Sequence, residues 1–212
     1  MGAGSIFSLG ALIMTAFAGA QRMPLPGVTI YVRRDFLDPT ECETLIARIE
    51  AERRPSALAD HTGDNSFRTS ETCDLGGSDA FISGIVAKIA AFAGLNAAHA
   101  EPLQGQRYAV GQEFKAHTDT FEPGGPDYAR FCTVSGQRTW TVMVYLNKPQ
   151  SGGATRFKQY DKIVQPEAGK LLAWNNLLAD GRPNYATLHQ GMPVRAGVKH
   201  IITCWFRERP WS

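Results

Sequence analysis

Residues 103–121 read LQGQRYAVGQEFKAHTDTF and contain two short runs of strand-like sequence that Gly111 separates. Similar alternating or apolar runs follow without an intervening helical pattern, and glycine, proline and asparagine residues mark the turns between them. Many short strands at this spacing are typical of an antiparallel sandwich or barrel. The predicted strands span about residues 103–110, 114–119, 138–147, 154–164, 170–175, 186–189 and 199–206.

Two predicted helices precede these strands. Asp38 and Pro39 supply an N-cap and a first-turn proline for a helix over about residues 39–53. Ser78 is the expected N-cap of a second helix over about residues 79–93. Each helix has one apolar stripe, so we predict a mainly β domain of the α+β class with both helices packed on one sheet.

Length and charge limit the classes of function. The 212 residues fit one domain, and we assign residues 23–212 to it. The 22 Lys and Arg residues nearly balance 20 Asp and Glu residues, so no nucleic-acid partner and no stable membrane association are expected. The four cysteines are widely separated without a CxxC motif, which favours buried free thiols and a reducing compartment, with two disulfides as the alternative.

Residues 1–22 form an apolar amino-terminal segment. Its run ends in Ala18-Gly19-Ala20, which resembles a signal-peptide cleavage site, but no Lys or Arg precedes the apolar core. The run is also shorter than the roughly 20 residues that a membrane span needs. We therefore favour a cytoplasmic protein with a packed or frayed amino-terminal helix; export is the alternative if residues 1–20 act as a signal peptide.

His117 and Asp119 are the first candidates for chemistry. Side chains at positions i and i+2 of a strand share a face, so both can reach one metal ion while Ala116 and Thr118 face away. Such a pair alone is more often a polar patch on a strand. His189 would complete a set of two histidines and one carboxylate, which leaves coordination positions open and is typical of non-haem Fe(II) enzymes that activate oxygen.

The last predicted strand adds a buried charge. Lys199, Ile201, Thr203 and Trp205 share one of its faces. A lysine on an apolar strand face requires an anion to compensate its burial. The carboxylate of a cosubstrate would serve this purpose.

Five stretches, in this order, resemble the catalytic domain of the prolyl 4-hydroxylase family of Fe(II)/2-oxoglutarate dioxygenases. They are LQGQRYAVGQEFKAHTDTF, GQRTWTVMVYLN, SGGATRF, GKLLAWNN and LHQGMPVRAGVKHIITCWFRERPW. The resemblance covers about residues 103–211 and implies a double-stranded β-helix, the jelly-roll core of these oxygenases. The family pattern, Tyr-x-x-Gly-x-x-Phe-x-x-His-x-Asp followed by a distal His and a Lys ten residues later, is matched at Tyr108, Gly111, Phe114, His117, Asp119, His189 and Lys199.

The resemblance implies a catalytic set of four residues. His117, Asp119 and His189 would bind Fe(II), and Lys199 would pair with the C5 carboxylate of 2-oxoglutarate. Oxygen is the other cosubstrate, and ascorbate is expected to support activity.

The resemblance also implies binding roles for several other residues, and most of them have a purely structural alternative. Tyr108 and Thr141 match positions whose hydroxyls help hold the C5 carboxylate, or they are a core aromatic and an ordinary strand residue. Trp205 matches an aromatic position near the cosubstrate, or only packs. Arg68 lies in a short RTS element near the expected mouth of the site and either contacts substrate or forms a salt bridge. Phe114 could line the substrate channel.

The implied activity is hydroxylation of a prolyl residue in a peptide or protein, with release of succinate and CO2. Hydroxylation of a free amino acid or another small molecule is the alternative, because the iron and cosubstrate residues would be the same. A non-catalytic metal-binding jelly-roll module is a third interpretation, which Lys199 argues against. The Gly- and Pro-rich loop at residues 122–136 is either a lid or a plain connection.

Overall fold

The structure is a computed structural model that describes residues 16–56, 67–76 and 79–211. Within these ranges the chain forms three α-helices and fourteen β-strands. The helices are α1 (Pro39–Glu52), α2 (Ala80–Ala93) and α3 (Pro126–Cys132). The strands are β1 (Gln21–Arg22), β2 (Ile30–Arg33), β3 (Arg54–Pro55), β4 (Glu71–Leu75), β5 (Leu103–Tyr108), β6 (Phe114–His117), β7 (Arg138–Tyr145), β8 (Ser151–Gly152), β9 (Thr155–Phe157), β10 (Lys162–Val164), β11 (Leu171–Asn175), β12 (His189–Gly191), β13 (Val194–Ala196) and β14 (Lys199–Arg207).

Two antiparallel sheets build the sandwich. The larger sheet has the order β1-β2-β11-β7-β14-β5-β4-β3, and the smaller has the order β10-β9-β12-β6. Side chains from both sheets form one apolar cluster, which includes Tyr108, Met143, Tyr145, Phe157, Leu172, Trp174 and Ile201. The prediction of a mainly β jelly roll is confirmed.

Helices α1 and α2 pack on the larger sheet, as the sequence predicted. Side chains alternate between the two faces of β14. One face, with Ile202, Cys204 and Phe206, packs in the apolar cluster that contains the helices. The other face, with Lys199 and Trp205, lines a cavity between the sheets. The contact of α1 with β5 is very close at Gly105, where an added Cβ atom would lie 2.4 Å from Cγ1 of Ile49. All four cysteines are buried and free, which confirms the prediction of buried free thiols.

Two predicted boundaries were wrong. The chain turns at Asp161, which has a φ of 49°, so the strand predicted over residues 154–164 is divided into β9 and β10. Helix α2 is capped by Asp79, whose carboxylate accepts hydrogen bonds from two N–H groups of the first turn. Ser78, the predicted cap, lies outside the described residues.

The strand predicted over residues 186–189 was also wrong. Residues Tyr185–Thr187 form a 3₁₀ helix, and the side chain of Asn184 caps it by accepting a hydrogen bond from the N–H of Ala186. His189 consequently begins strand β12 instead of ending an earlier strand.

Of the predicted amino-terminal segment, residues 1–15 lie outside the described part of the chain. Residues 16–19 form a turn, not a helix. Phe17 is buried and stacks on Tyr31, with ring centroids 4.2 Å apart. Among the described helices, none is both long and apolar enough to cross a membrane. The cellular location, the proposed signal peptide and the domain boundaries stay predictions.

Candidate active site

The three predicted metal ligands converge between the two sheets. His117 on β6 pairs directly with His189 on β12, and their ring centroids lie 4.4 Å apart. Asp119 follows β6, and its carboxylate oxygens lie 3.8 Å from Nε2 of His117 and 3.9 Å from Nε2 of His189. One ligand atom from each residue lies within 4.8 Å of the others, so the three can hold one metal ion.

Backbone carbonyls determine which histidine nitrogen is available to the metal. Nδ1 of His117 lies 2.8 Å from the carbonyl oxygen of Lys115, and Nδ1 of His189 lies 2.9 Å from that of Thr187. A carbonyl can only accept a hydrogen bond, so Nδ1 carries the proton and Nε2 is left free to bind. Burial, reinforced by the neighbouring His189, holds the pKa of His117 well below its usual range, which favours the neutral, metal-binding imidazole.

The Asp119 carboxylate is held by a hydrogen-bonded relay of two side chains, Thr141 and Asn176, from the larger sheet. Burial opposes its ionisation, but the nearby His189, His117 and Arg138 together with the Thr141 hydrogen bond keep the pKa of Asp119 below its ordinary value. The hydroxyl of Thr141 donates a hydrogen bond to Oδ2 of Asp119 over 2.7 Å and accepts one from Nδ2 of Asn176 over 2.8 Å. A hydroxyl has a single proton, so Thr141 here supports the Asp119 carboxylate; its expected contact with 2-oxoglutarate stays a prediction.

Replacing Thr141 by valine should weaken Fe(II) binding roughly tenfold, because loss of an outer partner loosens a metal ligand. Fe(II) titration monitored by tryptophan fluorescence measures the effect, since the Trp174 ring lies 4.7 Å from His189. Thr141→Ser keeps the hydroxyl and should bind Fe(II) like the wild type. Equal Fe(II) affinity in Thr141→Val and the wild type would contradict the role of the relay.

Lys199 lies in the same cavity as the cluster. It pairs with Tyr108 across β14 and β5, and its Nζ lies 3.9 Å from the Tyr108 ring centroid. The side chain is only 1% exposed, and no ion pair joins it to a carboxylate of the described residues. Burial lowers the pKa of Lys199 to about 7. A buried ammonium group without a counter-ion is costly, so this position fits a bound carboxylate.

The lowered pKa of Lys199 predicts that the unliganded protein gains stability with rising pH. The amine has a pKa of about 7 when folded against 10.5 ordinarily, so the unfolded chain binds more protons between these values. The free energy of unfolding therefore rises with pH across this window. Urea unfolding at several pH values should show that the free energy of unfolding rises more steeply with pH in the wild type than in Lys199→Met. An identical pH dependence of the two proteins would contradict the lowered pKa of Lys199.

Aromatic side chains complete the cavity. Trp174 and Trp205 line it, and Nε1 of each is buried without a hydrogen-bond partner in the part of the chain that the structure describes. The Tyr108 hydroxyl donates to Oε1 of Gln106 over 2.6 Å. The cavity thus holds two unused N–H donors and the Lys199 ammonium group, all of which can bind the oxygens of a dicarboxylate such as 2-oxoglutarate.

A wider cleft of about 670 Å³ adjoins the metal cluster. Phe114 lines both the cavity and the cleft and stacks on His117, with ring centroids 3.5 Å apart. Thr118 lines the cleft but not the cavity that holds the metal cluster. Strand β6 ends at His117, two residues earlier than predicted. The remaining walls are formed by Phe67, Arg68, Asp74, Glu101, Pro102, Gln104, Asp119, Thr120, Phe121, Glu122, Arg138, Trp205 and Trp211.

The loop at residues 122–136 contains the short helix α3, which the sequence did not predict. Phe131 on α3 stacks on Phe121, with ring centroids 5.2 Å apart. At the other end of the loop, the hydroxyl of Tyr185 donates to the carboxylate of Glu122 over 3.0 Å. The loop therefore borders the cleft, and its function as a lid stays a prediction.

Known proteins resemble this chain in both sequence and fold. The model of the 2OG-Fe(II) oxygenase superfamily matches residues 103–207. The prolyl 4-hydroxylase subunit alpha-1 of Rattus norvegicus is 34% identical over 144 residues, which cover 68% of this chain. The subunit alpha-2 of Caenorhabditis elegans is 33% identical over 145 residues, also 68% of this chain. The matched region is 27% of the length of each subunit.

A solved structure extends the similarity to the fold. The viral collagen prolyl hydroxylase of Paramecium bursaria Chlorella virus-1, in its 2OG complex, superposes with a TM-score of 0.66 at 27% sequence identity. The superposition covers 84% of this chain and 95% of the viral chain. The protein therefore belongs to the prolyl 4-hydroxylase family of 2OG-Fe(II) oxygenases and is a dioxygenase that uses Fe(II), 2-oxoglutarate and oxygen.

Proposed function

We propose that the protein hydroxylates a prolyl residue in a peptide or protein, with His117, Asp119 and His189 as the iron ligands and Lys199 as the partner of the C5 carboxylate of 2-oxoglutarate. One observation carries this assignment: a cluster of two histidines and one aspartate shares a cavity with a buried, unpaired lysine. Bound Fe(II) supplies the chemistry that couples oxidative decarboxylation of 2-oxoglutarate to hydroxylation of a C–H bond.

The protein contributes orientation and a dry environment. Nδ1–H donation to backbone carbonyls holds His117 and His189 with Nε2 toward the metal. Thr141 fixes Asp119, and the ammonium group of Lys199 selects a diacid of the right length by pairing with its far carboxylate. Buried aromatic side chains around the cavity exclude water from the bound cosubstrate.

The shape of the cleft favours a peptide substrate. It opens beside the iron ligands and is lined by the rings of Phe67, Phe114, Phe121, Trp205 and Trp211. Aromatic grooves bind proline-containing segments well, because an extended polyproline conformation loses little entropy on docking. The matched relatives are named as prolyl hydroxylases, which supports the same substrate class here.

The test supplies purified protein with Fe(II), 2-oxoglutarate and ascorbate and offers proline-rich peptides, the same peptides with proline replaced by alanine, and free proline. We expect succinate formation together with the gain of one oxygen atom only in the proline-containing peptides, read by mass spectrometry. An oxygen gain in free proline but not in any peptide would move the substrate to the small-molecule class. Peptide turnover that does not depend on 2-oxoglutarate would contradict the mechanism.

A further inference from the structure

Arg68 places a positive charge in the cleft close to the iron ligands. Its guanidinium carbon lies 4.9 Å from the centroid of the Phe114 ring, and that ring stacks on His117. The backbone is fixed here as well, because Arg68 forms a β-bridge with Phe114. Only the Phe114 ring therefore separates the guanidinium group from His117, so Arg68 is within reach of a peptide whose proline lies at the metal.

The partners of Arg68 are neutral. Its Nε donates to Oγ of Ser70 over 3.2 Å, and its Nη2 donates to Oε1 of Gln104 over 2.8 Å and to Oγ1 of Thr72 over 3.3 Å. Among the described residues, no carboxylate forms an ion pair with Arg68, and none of its hydrogen bonds uses Nη1. One edge of the guanidinium group is thus available to a ligand.

The carboxylates that line the cleft have partners other than Arg68. Glu101 is the partner of Arg138, with Nε to Oε1 at 2.7 Å and Nη2 to Oε2 at 2.8 Å, and it also lies 3.4 Å from Nη1 of Arg207. Burial lowers the pKa of Arg68; Arg138 acts in the same direction, while Tyr108, Asp119 and Asp74 partly offset it. A carboxylate from outside would relieve this repulsion and satisfy the free edge of the guanidinium group.

The other acidic residues along the cleft have partners of their own. Asp74 pairs with Arg54, and Glu122 accepts hydrogen bonds from the hydroxyl of Tyr185. Asp119 belongs to the metal cluster. None of these three carboxylates forms an ion pair with Arg68 in the described chain.

We propose that the cleft selects prolyl peptides that carry a carboxylate next to the target proline and that Arg68 binds this carboxylate. The inference rests on the proposed function and narrows its substrate class. An extended peptide advances roughly 3.3 Å per residue, so the carboxylate belongs to a residue one or two positions from the proline. It is either an acidic side chain or the carboxyl terminus, since both offer the same two oxygens to a guanidinium group.

The experiment compares peptides that share one proline. One set has amidated ends and carries Glu, Gln or Lys at each of the two positions on either side of the proline; another has a free carboxyl terminus one or two residues after it. Hydroxylation is measured as kcat/KM for the wild type, Arg68→Gln, Arg68→Lys and the control Arg34→Gln, whose side chain is 74% exposed and pairs with Glu167. Succinate formed without peptide verifies that each variant retains an intact iron and cosubstrate site.

We expect the wild type to prefer Glu over Gln roughly tenfold or more at one position, mainly through KM. Arg68→Gln should lose this preference, Arg68→Lys should keep part of it, and Arg34→Gln should keep all of it. A preference only for the free carboxyl terminus would identify that source of the carboxylate.

Three results would overturn the inference. Equal turnover of Glu and Gln peptides by the wild type would reject it and leave prolyl hydroxylation intact. A Glu preference that persists in Arg68→Gln would assign the carboxylate to another residue. Hydroxylation of none of the peptides, with 2-oxoglutarate turnover retained, would reject the proposed substrate class and this inference with it.

Discussion

His189→Ala is expected to leave the protein without bound iron and to lower 2-oxoglutarate turnover by on the order of a thousandfold or more. Among the described residues, His189 supplies one of three ligand atoms that lie within 4.8 Å of one another. Its Nδ1 is already hydrogen-bonded to the carbonyl oxygen of Thr187, so Nε2 is the nitrogen available to a metal. Two remaining ligands, His117 and Asp119, hold a divalent ion too weakly to survive dialysis.

Iron content after dialysis and succinate production measure this prediction. His99→Gln is the matched control, because His99 contacts the backbone carbonyl of Arg207 and does not line the cavity. The control should retain iron and turnover. Iron content and turnover of His189→Ala close to wild-type values would show that the cluster is not the metal site.

Lys199→Met is expected to raise the KM for 2-oxoglutarate roughly a hundredfold while Fe(II) affinity stays unchanged. The variant removes the ammonium group that would pair with the C5 carboxylate and keeps a side chain of similar length. The same substitution should stabilise the unliganded protein by about 1–3 kcal/mol, because it replaces a buried, unpaired charge with an apolar group. A loss of cosubstrate binding with a gain in stability distinguishes a binding residue from a structural one.

Lys170→Met provides the control for this pair of effects. Lys170 is also buried, at 5% exposed, but its Nζ donates to the carbonyl oxygen of Gln165 over 2.8 Å and pairs with Glu167 at 2.5 Å. Its replacement should lower the free energy of unfolding and leave the KM for 2-oxoglutarate unchanged. The account of Lys199 would be wrong if both variants lost stability and neither changed KM.

The strands of the larger sheet were predictable because they obey a simple alternation. Thr141 and Met143 on β7 and Lys199 and Trp205 on β14 face the cavity as the period of two requires. The burial of Lys199 was predictable for the same reason, because it lies on the strand face that includes Ile201 and Trp205.

The parts that were not predictable depend on contacts between distant segments. Asn176 was not singled out, because its importance arises only when β11 places it beside Thr141 and so behind Asp119. The end of β6 at His117 was misplaced by two residues, because it is set by pairing with β12, which the local sequence does not show. Likewise, the local sequence does not show that the partners of Arg68 among the described residues are neutral, because Gln104 lies 36 positions away.

The most direct test of the central claim is an anaerobic calorimetric titration of 2-oxoglutarate into Fe(II)-loaded protein. We predict one molecule bound per chain, with binding lost when a chelator removes the iron and strongly weakened in Lys199→Met. Binding of 2-oxoglutarate that is unaffected by both iron removal and Lys199→Met would contradict the assignment of the cavity.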